Sequence, residues 1–530
     1  METAQLFHMK KSTICLYREE RKLTMISIQL SKEDFVYDIQ GLCKSFYPAE
    51  QILIGTEKET SKEAECLFRI EIVMEDRLVM LHFHDKEKSK QYQGIVKDGE
   101  RRTYKNVLKK LLYQLLTEQT GKRLPWGTLT GVRPTKLAME RLELGENKEQ
   151  VTAFMKEHYF CSEEKIALAY EISRKELDIL EAIDYKNGYS LYVGIPFCPT
   201  RCSYCSFPSY PIEQFGNLME QYLQALYKEL TYVATKVWNK RLSTIYIGGG
   251  TPTTLSAEQL RQLIQKIKSV FPVEEVAEFT VEAGRPDSIT EEKLKVLKEE
   301  GITRISINPQ SMNQKTLERI GREHTVEQVE RMFHLARKIG HDNINMDLII
   351  GLPEESPEDV KRTLERIAPL NPENLTVHSL VLKRAARLNT QYQEETNGEE
   401  DYALEGQSGA MAKETTEFAK RHGYEPYYMY RQKNATGADS DSRENIGYAK
   451  PGKECIYNIL IMEEKQSILA VGAGASSKFL LPQEKKKIQR VENVKSITDY
   501  IERIDEMIER KECFWQKHKN AFSSHEPEIR

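Results

Sequence analysis

Gly194-Ile-Pro-Phe-Cys198-Pro-Thr-Arg-Cys202-Ser-Tyr-Cys205-Ser-Phe-Pro208 holds three of the chain's nine cysteines, spaced C-x3-C-x2-C. It follows directly on the apolar run Leu191-Tyr-Val193. A loop this short can aim three thiolates at one centre, and thiolate is the ligand that iron–sulfur clusters use. Zinc is the rival, but structural zinc takes four ligands, with a fourth Cys or His at a recurring offset. The nearest histidines are His158 and His324, and there is no second C-x-x-C pair. Three ligands hold a [4Fe–4S] cluster by three irons and leave the fourth open. A surface loop with incidental cysteines is the bland alternative.

Outward from this loop, residues 189–380 repeat one pattern: a short strand rich in Ile, Val and Tyr, a loop, then an amphipathic helix. The expected strands are Leu191–Ile195, Thr244–Gly248, Phe279–Glu282, Arg304–Asn308, Ile344–Ile350 and Leu375–Leu380. Helices are expected near Leu218–Val237, Ala257–Ser269, Glu291–Glu300, Val326–Ile339 and Pro357–Ile367. Such alternation predicts βαβ units and a parallel sheet, and six units would close most of a barrel. Chemistry in such barrels gathers at the carboxyl ends of strands. The unusual residues fall there: the cysteines, Gly248-Gly-Gly-Thr-Pro-Thr253, Glu282, Asn308-Pro-Gln310, and Asp347 just before Gly351-Leu-Pro353. Any one of these is as well explained by a tight turn or a solvated acid; their recurrence after successive strands is the signal.

The flanks differ. Residues 1–24 are polar and patternless, an expected disordered extension, and Met25 is an alternative start. Residues 25–184 read as an α+β domain with strands at Gln51–Gly55, Cys66–Met74 and Arg77–Phe83, and helices at Tyr104–Glu118 and Ser162–Ala182. Between those helices, Leu124-Pro-Trp-Gly-Thr-Leu-Thr-Gly-Val-Arg-Pro-Thr-Lys136 is a structured turn region, equally a packed connector or a contact site. The core is bounded at 185–385, and 386–530 form a third, α+β/helical region. There a helix is expected near Leu404–His422, then the aromatic and basic cluster Tyr424–Asn434, a patternless stretch Ala435–Gly452, a strand pair Ile456–Met462 and Ser467–Val471, and a terminal helix carrying Val494 to Ile508.

A length of 530 residues implies two to four domains at roughly 150 residues each. Hydrophobic content of 39% with 30% charged residues describes a soluble globular protein. No apolar run approaches the ~18–20 residues that span a bilayer, and no secretory signal opens the chain, so the expected location is the cytoplasm. A formal charge of -4 gives no field for nucleic acid. Scattered cysteines are no disulfide framework.

With these motifs in view, the chain resembles the radical S-adenosylmethionine superfamily, within it the oxygen-independent coproporphyrinogen III oxidase group, and most closely the HemZ branch. The resemblance implies a partial (β/α)6 radical-SAM barrel with an N-terminal α+β domain and a C-terminal α+β/helical domain. It implies that Cys198, Cys202 and Cys205 ligate a [4Fe–4S] cluster whose fourth iron takes S-adenosylmethionine. It implies cofactor contacts from Tyr192, Tyr204, Gly249, Gly250, Thr251, Glu282, Gln310, Arg322 and Asp347. The implied reaction is oxidative decarboxylation of coproporphyrinogen III propionates to vinyl groups, giving protoporphyrinogen IX. A tetrapyrrole substrate and a low-potential electron donor such as flavodoxin or ferredoxin are the implied partners. A flat macrocycle with four propionates needs cations at its rim and aromatic walls, which Arg384, Arg387, Arg431 and Lys433 with their neighbouring tyrosines offer.

Two departures stand out. The oxidase has a fourth cysteine two residues past the third, where this chain has Phe207, and its His-Ile-Pro-Phe is here Gly194-Ile-Pro-Phe197. A related branch binds and delivers haem and carries His-Asn-x-x-Tyr-Trp; the best matching place here is Tyr457-Asn458-Ile-Leu-Ile461-Met462, where only Asn agrees. Haem handling, and a radical enzyme on another substrate, are therefore the alternatives.

Overall fold

The computed structural model describes residues 25–56, 66–236, 240–381, 388, 407–432, 444–481 and 488–523. The chain forms two compact units: one of Met1–Thr130, His158–Ser162 and Thr436–Ser440, the other of Gly131–Glu157, Glu163–Ala435 and Asp441–Arg530.

The first unit holds strands β1 (Met25–Leu30), β2 (Gln51–Gly55), β3 (Cys66–Glu75), β4 (Leu78–His84) and β5 (Ser89–Ile95) in the order β2-β1-β3-β4-β5. Alternation in β3 buries Phe68, Ile70, Ile72 and Met74 on one face. Against that face packs helix Arg101–Thr120, whose Leu108, Leu111, Leu112, Leu115 and Leu116 form one buried stripe. The helix stops at Gly121, whose φ of 70° suits a residue without Cβ.

The second unit holds one large sheet and a separate two-stranded one. Its strands are β6 (Gly188–Ile195), a short pair β7 (Phe197–Cys198) and β8 (Tyr210–Pro211), then β9 (Arg241–Gly249), β10 (Glu278–Gly284), β11 (Arg304–Ile307), β12 (Ile344–Ile350) and β13 (Asn374–Ser379). Strands β6, β9, β10, β11, β12 and β13 are neighbours in that order, each pair parallel. Their residues are buried on both faces, which is why they read as continuous apolar runs. The intervening helices start at local signals: Ser256 with Gln259 and Thr325 with Gln328 form reciprocal capping boxes, and Pro357 opens helix Pro357–Ile367 behind Ser356.

The remaining strands extend this sheet at both edges. β14 (Glu425–Arg431) and β15 (Glu444–Ala449) add antiparallel beyond β13, while β16 (Ser467–Val471) lies parallel to β6 and carries β17 (Ser476–Leu480) and β18 (Ile488–Glu492).

Three expectations change. Ile456–Met462 is not a strand paired with Ser467–Val471 but part of helix Ile456–Glu463. An unbroken apolar run carries no period to separate the two, and here long-range contacts choose helix. Part of the patternless stretch Ala435–Gly452 is β15, every residue of it buried between β13 and β14. The single terminal helix is two, Ile497–Glu502 and Ile504–Ser523. Arg384, Arg387 and Lys433 lie outside the described residues.

Candidate active site

The cysteine loop leaves β6 and is pinned at several points. Backbone bonds join Ser203 N to Ile320 O, Leu388 N to Ser203 O and Tyr210 N to Pro196 O. Cys198, Cys202 and Cys205 are all free thiols, Cys202 buried and the others half-buried. Among the described residues, no three His, Cys, Asp or Glu side chains form a preassembled metal-binding group. The surroundings nonetheless suit anionic sulfur. The Thr251 hydroxyl lies 3.6 Å from Cys198 Sγ, and the buried Arg285 guanidinium 3.9 Å from Cys202 Sγ. Hydrogen-bond donors around cluster sulfurs are a normal feature of such centres. Burial pushes the Cys198 thiol up to about 11 and raises Cys205, so metal binding must displace their protons.

Against this loop docks the turn at the end of β9. Gly250 N donates to Ile195 O and Thr251 N to Phe197 O. A Cβ on Gly250 would sit 2.6 Å from Phe197 O and 2.7 Å from Ile195 O, so two backbones touch where only hydrogen fits. Gly249 has φ 106°, and a Cβ there would lie 2.9 Å from the Tyr192 hydroxyl.

The next strands supply acids. Glu282, in β10, accepts from the Tyr246 hydroxyl. Burial, opposed by that hydrogen bond and reinforced by the nearby Asp347 charge, pushes its carboxyl up to about 7. Asp347, in β12, is gripped by Asn308 Nδ2 and Asn345 Nδ2, both at 2.7 Å. Gln310 forms an isolated bridge to Leu348 and holds φ 67°, a conformation costly for a side chain of its kind. Arg322 joins two parts of the site, donating to Asn308 O at 3.1 Å and to the Tyr204 hydroxyl at 2.9 Å.

The structure thus brings the cysteine loop, Tyr192, Tyr204, Gly249, Gly250, Thr251, Glu282, Gln310, Arg322 and Asp347 to one connected neighbourhood at the carboxyl ends of β6 to β12. Arg431 ends β14, buried, with its backbone N–H donating to Val132 O, and Tyr428 and Tyr430, earlier in the strand, feel the Asp347 charge.

Sequence reasoning missed several members. Tyr246 and Tyr457 stack at 4.5 Å between ring centroids, with Tyr192 6.2 Å from Tyr246 and 6.3 Å from Tyr457. Tyr457 comes from helix Ile456–Glu463, where the sequence predicts a strand. Arg285 clamps the loop by donating to Thr200 O and Oγ1 while pairing with Asp287. Its position three residues after Glu282 is a usable signal: a lone cation at a strand end beside an acid. Burial lowers the basicity of His378, in β13, against the pull of Asp347.

The profile of the Radical SAM superfamily matches residues 192–367. The oxygen-independent coproporphyrinogen-III oxidase-like protein HemZ of Bacillus subtilis (strain 168) is 43% identical over 413 residues, covering 77% of this chain and 80% of that protein. The chain belongs to the radical SAM superfamily, in its HemZ-like branch. It is also similar to the heme chaperone HemW of the same strain, 35% identical over 260 residues, 49% of this chain and 66% of that one. Among solved structures it is similar to coproporphyrinogen III oxidase (HemN) from Escherichia coli, with a TM-score of 0.49, 25% identity, and coverage of 63% of this chain and 73% of that one. No helix among the described residues is long and apolar enough to cross a membrane.

Proposed function

We propose that the protein is an oxygen-independent coproporphyrinogen III oxidase-type radical SAM enzyme acting on a tetrapyrrole. What carries the reading is the convergence of the three-cysteine loop, the glycine turn and two acids on one edge of a parallel sheet, in a chain 43% identical to a HemZ protein over most of its length. The same reading takes the six parallel strands as a partial (β/α)6 barrel.

Cys198, Cys202 and Cys205 would hold a [4Fe–4S] cluster, with Arg285 and Thr251 offsetting negative charge on sulfur. Gly249, Gly250 and Thr251 would carry the methionine part of S-adenosylmethionine, and Glu282 and Asp347 would receive its hydrogen-bond donors. When bound, cluster and cofactor supply the hydrogen-abstracting radical chemistry that oxidises a propionate carbon. Arg322 ties Tyr204 to the Asn308 backbone, keeping the cysteine loop in register with the acids. The Tyr192–Tyr246–Tyr457 stack forms an apolar wall that excludes water from reactive carbon and suits a flat macrocycle. A low-potential protein such as flavodoxin or ferredoxin would supply the electrons.

The test is anaerobic turnover of reconstituted protein with coproporphyrinogen III, S-adenosylmethionine and a strong reductant, resolving tetrapyrroles and 5'-deoxyadenosine. Vinyl products with stoichiometric 5'-deoxyadenosine are expected. Replacing Cys198, Cys202 or Cys205 with Ala should abolish bound iron and sulfide, whereas Cys455→Ala should retain them. Cofactor cleavage without any vinyl product, together with tight haem binding at one site, would replace this reading by haem handling.

A further inference from the structure

At the opposite end of the sheet an open cavity of about 340 Å³ lies among the first residues of β6 and β16. Seven strand steps of about 3.3 Å put it about 23 Å from the cysteine loop along β6. Its size falls in the range of small-molecule sites. Lys136, Lys186, Lys240 and Lys465 line it, with Glu463 and Glu464 beside them and Tyr185, Leu480, Leu481 and Ile488 as apolar wall.

The charges do not cancel. Lys465 is committed to Glu143, and Glu464 is committed to Arg133 at 2.5 Å. Glu463 is buried, and burial raises its carboxyl against the opposing pull of Lys465, Arg133 and Lys136. Lys136 therefore has Glu463 near it, whereas Lys186 and Lys240 make no ion pair among the described residues. Lys240 is half-buried and among the described residues bonds the Lys186 carbonyl at 3.3 Å, so part of its hydration is lost with no described carboxylate in exchange. Two ammonium groups without a carboxylate partner among the described residues, set against an aromatic and aliphatic wall, form a receptor for charge attached to an apolar body.

We propose that this cavity is a second ligand site, separate from the radical site, for an amphiphilic polyanion: two or more phosphate or carboxylate groups on a flat apolar body. The ammonium groups meet the oxyanions, and Tyr185 with Leu480, Leu481 and Ile488 covers the body. The proposal does not depend on the tetrapyrrole reading, since a nucleotide and a polycarboxylate macrocycle share this chemistry.

Calorimetric titration of the full-length protein with ATP, coproporphyrin III and inorganic pyrophosphate tests it. One equivalent of ATP or of coproporphyrin III is expected to bind, which of them distinguishing the phosphate from the carboxylate source, and binding should weaken as salt is raised. The Lys186→Gln/Lys240→Gln double variant should bind about tenfold or more weakly, and the corresponding double Arg variant, which keeps the charge, should bind within a few-fold of wild type. Saturable binding of neither compound, or binding unchanged in the Gln variant, would overturn the proposal. Pyrophosphate binding as tight as that of the larger ligand would overturn the part assigned to the apolar wall.

Discussion

Gly250 shows how a single absent side chain sets the site. Its hydrogens face three backbone atoms of the cysteine loop, the nearest at 2.6 Å from where a Cβ would be, and backbone cannot swing aside as a side-chain tip can. Gly250→Ala should therefore cost about 1–3 kcal/mol in urea denaturation and weaken S-adenosylmethionine in equilibrium dialysis. Gly131→Ala, where nothing lies within 4 Å, should stay within about 0.5 kcal/mol. Glu282 makes a pH-dependent counterpart. Its carboxyl is raised from 4.5 to about 7 in the fold, so its neutral form contributes stability fully below about pH 4.5, and that contribution is lost as pH rises through about 7. Glu282→Gln keeps a neutral side chain throughout. The variant should gain about 1–3 kcal/mol over wild type above pH 7, a gain that shrinks toward pH 4.5, read as the difference in urea midpoints across that range. An equal difference at both ends would show that Glu282 does not titrate as its burial requires.

Helix Ile456–Glu463 illustrates what an element owes to distant residues. It has no side-chain cap of its own. Instead the buried Glu278 carboxylate, in β10, accepts from Ile456 N at 2.7 Å, Tyr457 N at 3.3 Å and the Cys455 thiol at 3.4 Å. At the other end Arg133 donates to Met462 O and pairs with Glu464. An anion at the amino end and a cation at the carboxyl end both favour the helix dipole. Arg133 thus has a structural role in the second unit. Glu278→Ala removes the cap and leaves the buried Arg304 facing fewer negative neighbours. A loss of about 2–4 kcal/mol is expected, with altered tyrosine fluorescence from the displaced Tyr457. Unchanged unfolding midpoints would mean that the helix is held by its apolar packing alone.

Across the second unit, the carboxyl-terminal residues return to the start of the sheet and are locked there by one buried ion pair. Glu229, fully buried on helix Met219–Ala234, accepts from Lys511 Nζ at 2.6 Å, Asn493 Nδ2 at 2.8 Å, Gly472 N at 2.9 Å and the Tyr500 hydroxyl. Lys511→Met leaves that carboxylate without its cation and should cost about 3–5 kcal/mol in thermal unfolding. The Glu229→Gln/Lys511→Met pair should recover part of this loss, since no charge is then buried alone; a double variant no better than the single would exclude the charge argument. The network also marks where sequence stopped being informative. Val326–Ile339, Pro357–Ile367 and Ile344–Ile350 were readable to the residue, because capping boxes, a proline at the helix start and β-branched runs are local signals. The cysteine spacing, the glycine turn, Glu282 and Asp347 were legible as a group because each lies in or just after a successive strand. What the sequence by itself determined was this series of βα units and the donors at their ends. Only the tertiary structure decided that Glu444–Ala449 is a strand paired on both sides, that Ile456–Glu463 is a helix bringing Tyr457 to Tyr192 and Tyr246, and that Arg285 reaches Cys202. The physical reason is common to all three. Their conformations are fixed by hydrogen bonds, burial and strand faces supplied by residues tens to hundreds of positions away, which no local period or propensity encodes.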